Sequence, residues 1–428
     1  MLGGPRQNSL VNLTWRNAAW SSRRYRSRNG RNKESAMPPI PRLEPYRGPA
    51  LFSYGFRPFF LFGAIYAGLA VVIWLPVFCG ELALPTAFSP RDWHVHEMLY
   101  GYVSAVVTGF LLTAIPNWTG RLPLQGAPLM VLLIAWAAGR VAVTLSGTIG
   151  WLPAAVIDGG FLLLVGAAAA REIMASGNWG NLKVVALIGL LAAGNVAFHL
   201  EAHFEGAADY SVRIGMAAVI MLITLIGGRI VPSLTRNWLA RENPGRLPAP
   251  FGRFDAVVIA ASALALLLWI VLPQMHATGA ALLIAGLLQL ARLARWAGDR
   301  TTRERLVLIL HVGYAFVPFG FLLVGLATFD VVPAAAGVHA FAGGAIGTMT
   351  LAVMTRASLG HTGRTLTAAR ATQAIYLAIL LAAFARIGAA LAPAWLIPLL
   401  AVSAIFWVAA FFGFGAAYGK LLVARPSA

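Results

Sequence analysis

Apolar residues run along this chain in long stretches without period-two alternation, separated by short polar segments rich in Arg, Gly and Pro. Stretches of roughly 18 to 23 residues are what a helix rising 1.5 Å per residue needs to cross the hydrocarbon of a bilayer. Twelve are present, at about 58–80, 94–115, 124–145, 149–171, 183–201, 211–231, 254–273, 277–296, 305–326, 336–355, 370–391 and 394–419. Their length and lack of alternation argue for helices over strands. The expected fold is all-α, a polytopic membrane protein of about twelve transmembrane helices built from residues 51–428.

The polar connections sort by charge. Those after even-numbered spans hold Arg121, then Arg171 and Lys183, then Arg236, Arg241, Arg246 and Arg253, then Arg292 to Arg305, then Arg356, Arg364 and Arg370. Those after odd-numbered spans hold almost no Lys or Arg beyond Arg91 and Arg213. Positive loops stay inside, so both termini are expected in the cytoplasm and the odd connections outside.

Composition agrees, because 59% hydrophobic and 11% charged residues leave too little polar surface to clothe a soluble globule. The formal charge of +18 invites a nucleic-acid reading. However, residues 1–57 carry eleven Lys or Arg against two Glu, and the remaining surplus is topology signal, so no nucleic-acid partner is expected. Residues 1–50 read as a basic, disordered tail against anionic headgroups, unless residues 1–36 lie upstream of a true start at Met37, which opens the lead M-P-P-I-P-R-L-E-P. Cys79 is the single cysteine, which excludes a disulfide framework and leaves metal binding to histidine, carboxylate or methionine.

The topology gives each histidine a depth. His94 and His96 open span 2, His199 and His203 close span 5, His276 sits in the turn before span 8, and His339 opens span 10, all at the outer face. His311 and His361 fall on the cytoplasmic side. His199 and His203, at i and i+4, lie about 40° apart and can address one ion from one helix face. His94 and His96 would point about 200° apart on a helix, so they are expected to serve different partners, with Glu97 and Asp92 orienting imidazole N–H groups. The bland alternative is that each is an ordinary interfacial polar residue.

Spans 2, 6 and 10 end alike, in L-T-A-I-P-N-W-T-G-R (112–121), R-I-V-P-S-L-T-R-N (229–237) and T-R-A-S-L-G-H-T-G-R (355–364). Aligning Thr119, Thr235 and Thr362 suggests three parallel four-helix repeats, and counting back 23 residues from the first and last lands on His96 and His339. This arrangement is similar at the level of fold to haem–copper oxidases, in which twelve helices form three arcs and helices two and ten carry haem-ligating histidines. Asp158 in span 4 and Arg140 in span 3 are costly at membrane depth unless paired or facing water, so an Arg140–Asp158 pair or a proton path is expected.

The stretches Y-G-F-R-P-F-F (54–60), W-H-V-H-E-M (93–98), G-F-L-L-T-A-I-P-N-W-T-G-R (109–121), G-G-R-I-V-P-S-L-T-R-N (227–237) and M-T-L-A-V-M-T-R-A-S-L-G-H-T-G-R (349–364) resemble the NnrS family, and the resemblance runs from about residue 50 to the C-terminus. It implies a bacterial inner-membrane protein that carries haem and copper and is associated with nitric oxide metabolism and resistance to nitrosative stress. It supplies no agreed reaction and assigns no ligands. Depth and repeat make His96 and His339 the expected iron ligands, Arg121 and Arg364 candidate partners of haem propionates or another anion, and His94, His199 and His203 the copper candidates. Nitric oxide or a related small molecule, the lipid bilayer and an external electron donor are the expected partners. The rival reading is a cofactor-free proton-coupled transporter of a small solute or metal ion, using the outer histidines and Asp158. The parallel direction of the repeat favours the cofactor protein.

Overall fold

A chain crossing hydrocarbon must satisfy its own backbone N–H and C=O groups, and continuous helices do this within each segment. The computed structural model describes residues 46–425, so the expected basic tail lies, up to residue 45, outside the described residues. Among the described residues there is no strand. Twelve helices are long and apolar enough to cross a membrane: α1 Phe56–Phe78, α2 Pro90–Thr119, α3 Ala127–Thr144, α4 Trp151–Ala175, α5 Trp179–Phe204, α6 Tyr210–Glu242, α7 Arg253–Val271, α8 His276–Ala294, α9 Arg305–Ala327, α10 Ala334–His361, α11 Arg370–Leu391 and α12 Pro393–Val423. Several outrun their apolar stretches, α6 most of all, because its end L-T-R-N-W-L-A-R-E is helical in its own right and need not lie in lipid.

Local chemistry sets the helix ends near the site. Ser89 caps α2, its Oγ accepting from the Asp92 backbone N–H at 3.1 Å, and Pro90 occupies the first helical position, where no N–H is needed. At the other end Gly120 takes φ 70°, a left-handed conformation that closes the helix and that glycine adopts without strain.

Each helix packs on the next, and α12 returns to pack on α1, where the Trp407 indole N–H donates to the Ala67 carbonyl at 3.0 Å. Inside this ring α2 is the most buried helix, 83% of its central window, while α12 is the least, at 22%, and turns its side chains to lipid. α2 also touches α6, α6 touches α10, and a Tyr102–Thr350 hydroxyl hydrogen bond ties α2 to α10.

These three inner helices share a backbone irregularity. Each contains a π segment, Glu97–Val103 in α2, Ile223–Gly227 in α6 and Ala340–Gly347 in α10. In α2 and α10 the segment begins immediately after His96 and His339 respectively. Such segments insert extra residues into a turn, re-aim the side chains around them, and recur at functional sites. Because an α-helix would bury the same apolar residues, they leave no trace in the hydrophobic pattern.

Candidate functional site

Two polar sites lie near the ends of α2 and α10 that carry His94, His96 and His339. In the first, every group but the half-buried Tyr66 is buried. The Nδ1 of His96 faces Glu97 Oε1 at 3.0 Å, and its Nε2 faces both Asn195 Oδ1 at 3.0 Å and Asp158 Oδ2 at 3.1 Å. His199 Nε2 meets the same Asp158 oxygen at 3.1 Å. Arg140 joins the two carboxylates, donating from Nη1 to Glu97 Oε1 at 2.7 Å and from Nη2 to Asp158 Oδ1, and the Tyr66 hydroxyl donates to Glu97 Oε2. The expected Arg140–Asp158 ion pair is therefore formed, as one part of a larger network across α1 to α5.

Glycine makes this convergence possible. A Cβ on Gly139 would sit 2.8 Å from Asp158 Oδ1, and one on Gly101 would sit 2.6 Å from Arg140 Nη1. The carboxylate and the guanidinium thus occupy space that any other residue at these two positions would fill.

Ionised Glu97 and Asp158 carry two negative charges against the single positive charge of Arg140, so with neutral imidazoles the cluster has room for a cation. His96, Asp158 and His199 offer ligand atoms within 4.8 Å of one another. Two imidazoles and a carboxylate are a donor set that takes first-row divalent ions or copper. His199 Nδ1 and Asn195 Nδ2 are buried without a hydrogen-bond partner. The residues therefore fit a small cation.

The second site is a pocket between α1, α2, α6, α10, α11 and α12. His94, His339 and Arg386 enter it among walls such as Trp74, Met98, Met216 and Trp407. His94 stacks flat on Trp74, with ring centres 4.0 Å apart and planes 22° apart, and its Nδ1 is buried without a partner. The Arg386 guanidinium lies 5.9 Å from the same indole ring centre. Apolar walls with two imidazoles and one cation suit a flat apolar ring bearing carboxylates.

The structure redistributes the residues expected from sequence. His94, not His96, shares the pocket with His339; His96 faces the opposite side of α2, as their angular separation requires. The copper trio is not gathered either. His199 joins His96, whereas His203 is exposed and stacks on Trp151 at 4.3 Å. Arg121 and Arg364 follow the far ends of α2 and α10, beyond about 38 and about 33 Å of helix from His94 and His339 at 1.5 Å per residue, too far to meet a group held there. Arg121 instead pairs with Glu172 at 2.5 Å. His311 meets Thr235 Oγ1 at 2.7 Å, His276 stacks on Phe329 at 5.1 Å, and His361 packs against Tyr54 and Phe56. Arg386, Asn195 and Tyr66 were not anticipated. Arg386 was legible as a lone cation inside an apolar span, by the reasoning applied to Arg140; the other two leave no comparable signal.

His96 on α2 meets Asp158 on α4, and Asp158 in turn meets Arg140 on α3 and His199 on α5. Eight helices on, His339 of α10 shares its pocket with Arg386 of α11, Ser403 of α12 and Trp74 of α1. His339 therefore shares its pocket with the residue on the other face of α2, His94.

No curated protein and no solved structure matches this chain. A family model described as NnrS protein matches residues 50–425, nearly its whole length, and the chain belongs to the NnrS family.

Proposed function

We propose that this protein holds haem between α2 and α10 and copper at the His96–Asp158–His199 cluster, and serves nitric oxide metabolism and resistance to nitrosative stress. It does so in the bacterial inner membrane, with both termini cytoplasmic and both sites near the outer face. The observation that carries the reading is the pairing of His94 and His339, from two inner helices, in one apolar pocket with Arg386.

In that pocket His94 and His339 would bind iron, and Arg386 would face carboxylates of the ring in place of the more distant Arg121 and Arg364. Trp74 holds the His94 imidazole in plane, and the apolar walls exclude water. At the neighbouring cluster His96 and His199 would present Nε2 to copper, while Glu97 orients His96 through Nδ1. Haem iron and copper, when bound, supply one-electron chemistry and affinity for nitric oxide. Nitric oxide is small and partitions into lipid, so it reaches such sites through the bilayer. Electrons would come from an external donor.

The test is an optical and EPR spectrum, with iron and copper quantified per chain, on detergent-purified protein expressed with adequate haem and copper. A near-stoichiometric Soret-absorbing species that responds to anaerobic nitric oxide is expected. One observation favours a second reading. The hydrogen-bonded run Tyr66–Glu97–Arg140–Asp158–His199 also suits a cofactor-free, proton-coupled transporter, which folded protein lacking both metals after reconstitution would support.

A further inference from the structure

The three similar helix ends diverge in how their arginines are used. After α2, Arg121 Nε donates to Glu172 at 2.5 Å, and near the end of α6, Arg236 Nη2 donates to the Pro248 carbonyl at 2.5 Å. Arg364, which follows α10, has no side-chain acceptor among the described residues. It lines an open recess with Arg57, Thr362, Lys420 and Arg425.

Two sequence motifs converge there. His361 packs against Tyr54 and Phe56 with ring centres 5.6 and 5.4 Å away, which brings Y-G-F-R (54–57) against G-H-T-G-R (360–364). The turn between His361 and Arg364 closes through Gly363 at φ 71°, with the Arg364 N–H donating to the Leu359 carbonyl at 3.0 Å.

Arg57 is almost wholly buried, being only 3% exposed. Its Nη1 donates to the Leu422 and Ala424 carbonyls at 2.9 Å each, which closes the end of α12, while its Nε and Nη2 have no acceptor among the described residues. Arg425 is held by the Arg47 carbonyl at 2.8 Å. Four cations thus surround one recess, and no carboxylate lines it among the described residues. Topology alone asks for Lys and Arg on this side of the membrane, but not that one be buried and several be gathered around a cavity.

We propose that this recess binds the phosphate group of an anionic ligand, at the face where the described residues begin and end. Guanidinium groups with free N–H donors match phosphate oxygens in charge and geometry. Two sources carry that chemistry, free phosphate and the headgroup of an anionic phospholipid. Basic pockets between spans bind such headgroups, and α12, the least buried helix, borders the recess on the lipid side.

The experiment follows thermal unfolding of the full detergent-purified chain by tryptophan fluorescence. It is titrated with sodium phosphate against ionic-strength-matched chloride, and separately with phosphatidylglycerol against phosphatidylcholine in mixed micelles. A rise with phosphatidylglycerol alone identifies a lipid headgroup, and a rise with phosphate identifies a free anion; either supports the proposal. Arg364 and Lys420 are both exposed, so the double variant R364Q/K420Q is expected to fold normally and to bind roughly 25-fold more weakly, about fivefold per cation removed. The control R253Q/R303Q changes two exposed arginines outside the recess and should bind as the parent does. No stabilisation by either ligand, unchanged binding by R364Q/K420Q, or an equal loss in the control would overturn the proposal.

Discussion

Replacing Arg140 by Met removes the guanidinium and its charge while keeping an unbranched, flexible stem, and the surroundings of the guanidinium set the cost. It bridges Glu97 and Asp158, both buried, and no other Lys or Arg forms an ion pair with either among the described residues. Its loss leaves two carboxylates on either side of the same imidazole, with His96 and His199, Asn195 and Tyr66 as their remaining neighbours. Breaking a buried pair from one side typically costs about 3–5 kcal/mol, because the surviving charge is left in a medium that solvates it poorly. We expect R140M to lose about that much against unfolding in mild detergent, followed by tryptophan fluorescence. The double variant R140M/D158N should regain more than half of the loss, since one uncompensated charge is gone and the amide still accepts from His199. A loss in R140M below about 1 kcal/mol, or a double variant in which D158N adds a further penalty instead of offsetting the first, would refute the view that charge pairing holds this cluster together.

Substitution of His339 by Ala should abolish the haem spectrum, while His276→Ala, which removes a ring stacked on Phe329 away from the pocket, should leave it intact; a retained spectrum in H339A defeats the ligand assignment. His96→Ala should remove copper and spare haem, as metal analysis of the purified variant can decide. Gly139→Ala drives a methyl group to 2.8 Å from Asp158 Oδ1 and 3.1 Å from its Cα, so a loss of about 1–3 kcal/mol and a lowered copper content are expected, and wild-type values for both would contradict the packing. Tyr66→Phe deletes the hydroxyl that donates to Glu97 and should cost about 1–3 kcal/mol, measured by the same unfolding assay.

Much of the architecture was legible before any coordinates, for reasons that can be traced to particular residues. Hydrocarbon demands continuous apolar helices, so the twelve spans follow from run length. Burial of Arg140 and Asp158 on adjacent spans called for a pair, and they form one. The 200° between His94 and His96 separated their partners correctly, but angular spacing does not say which of the two looks along the ring towards α10. The matched spacing of His96 and His339 did not bring them into one pocket, because His96 lies on the face of α2 turned to Asp158 and Asn195. The π segments of α2, α6 and α10 bury the same apolar residues an α-helix would, so no periodicity announces them. Asn195 and Tyr66 carry no charge whose cost would mark them, and their roles emerge only when α1 and α5 are packed against α2.

The most direct measurement is iron and copper per chain, together with the optical spectrum, in pure, folded protein supplied with both metals, compared among the parent, H94A, H339A, H96A and H199A. Near-stoichiometric haem in the parent, lost in the first two variants and kept in the last two, with copper showing the reverse pattern, is the result expected of two separate sites. Parent protein that remains folded yet holds neither metal, or haem that survives loss of both His94 and His339, would contradict it.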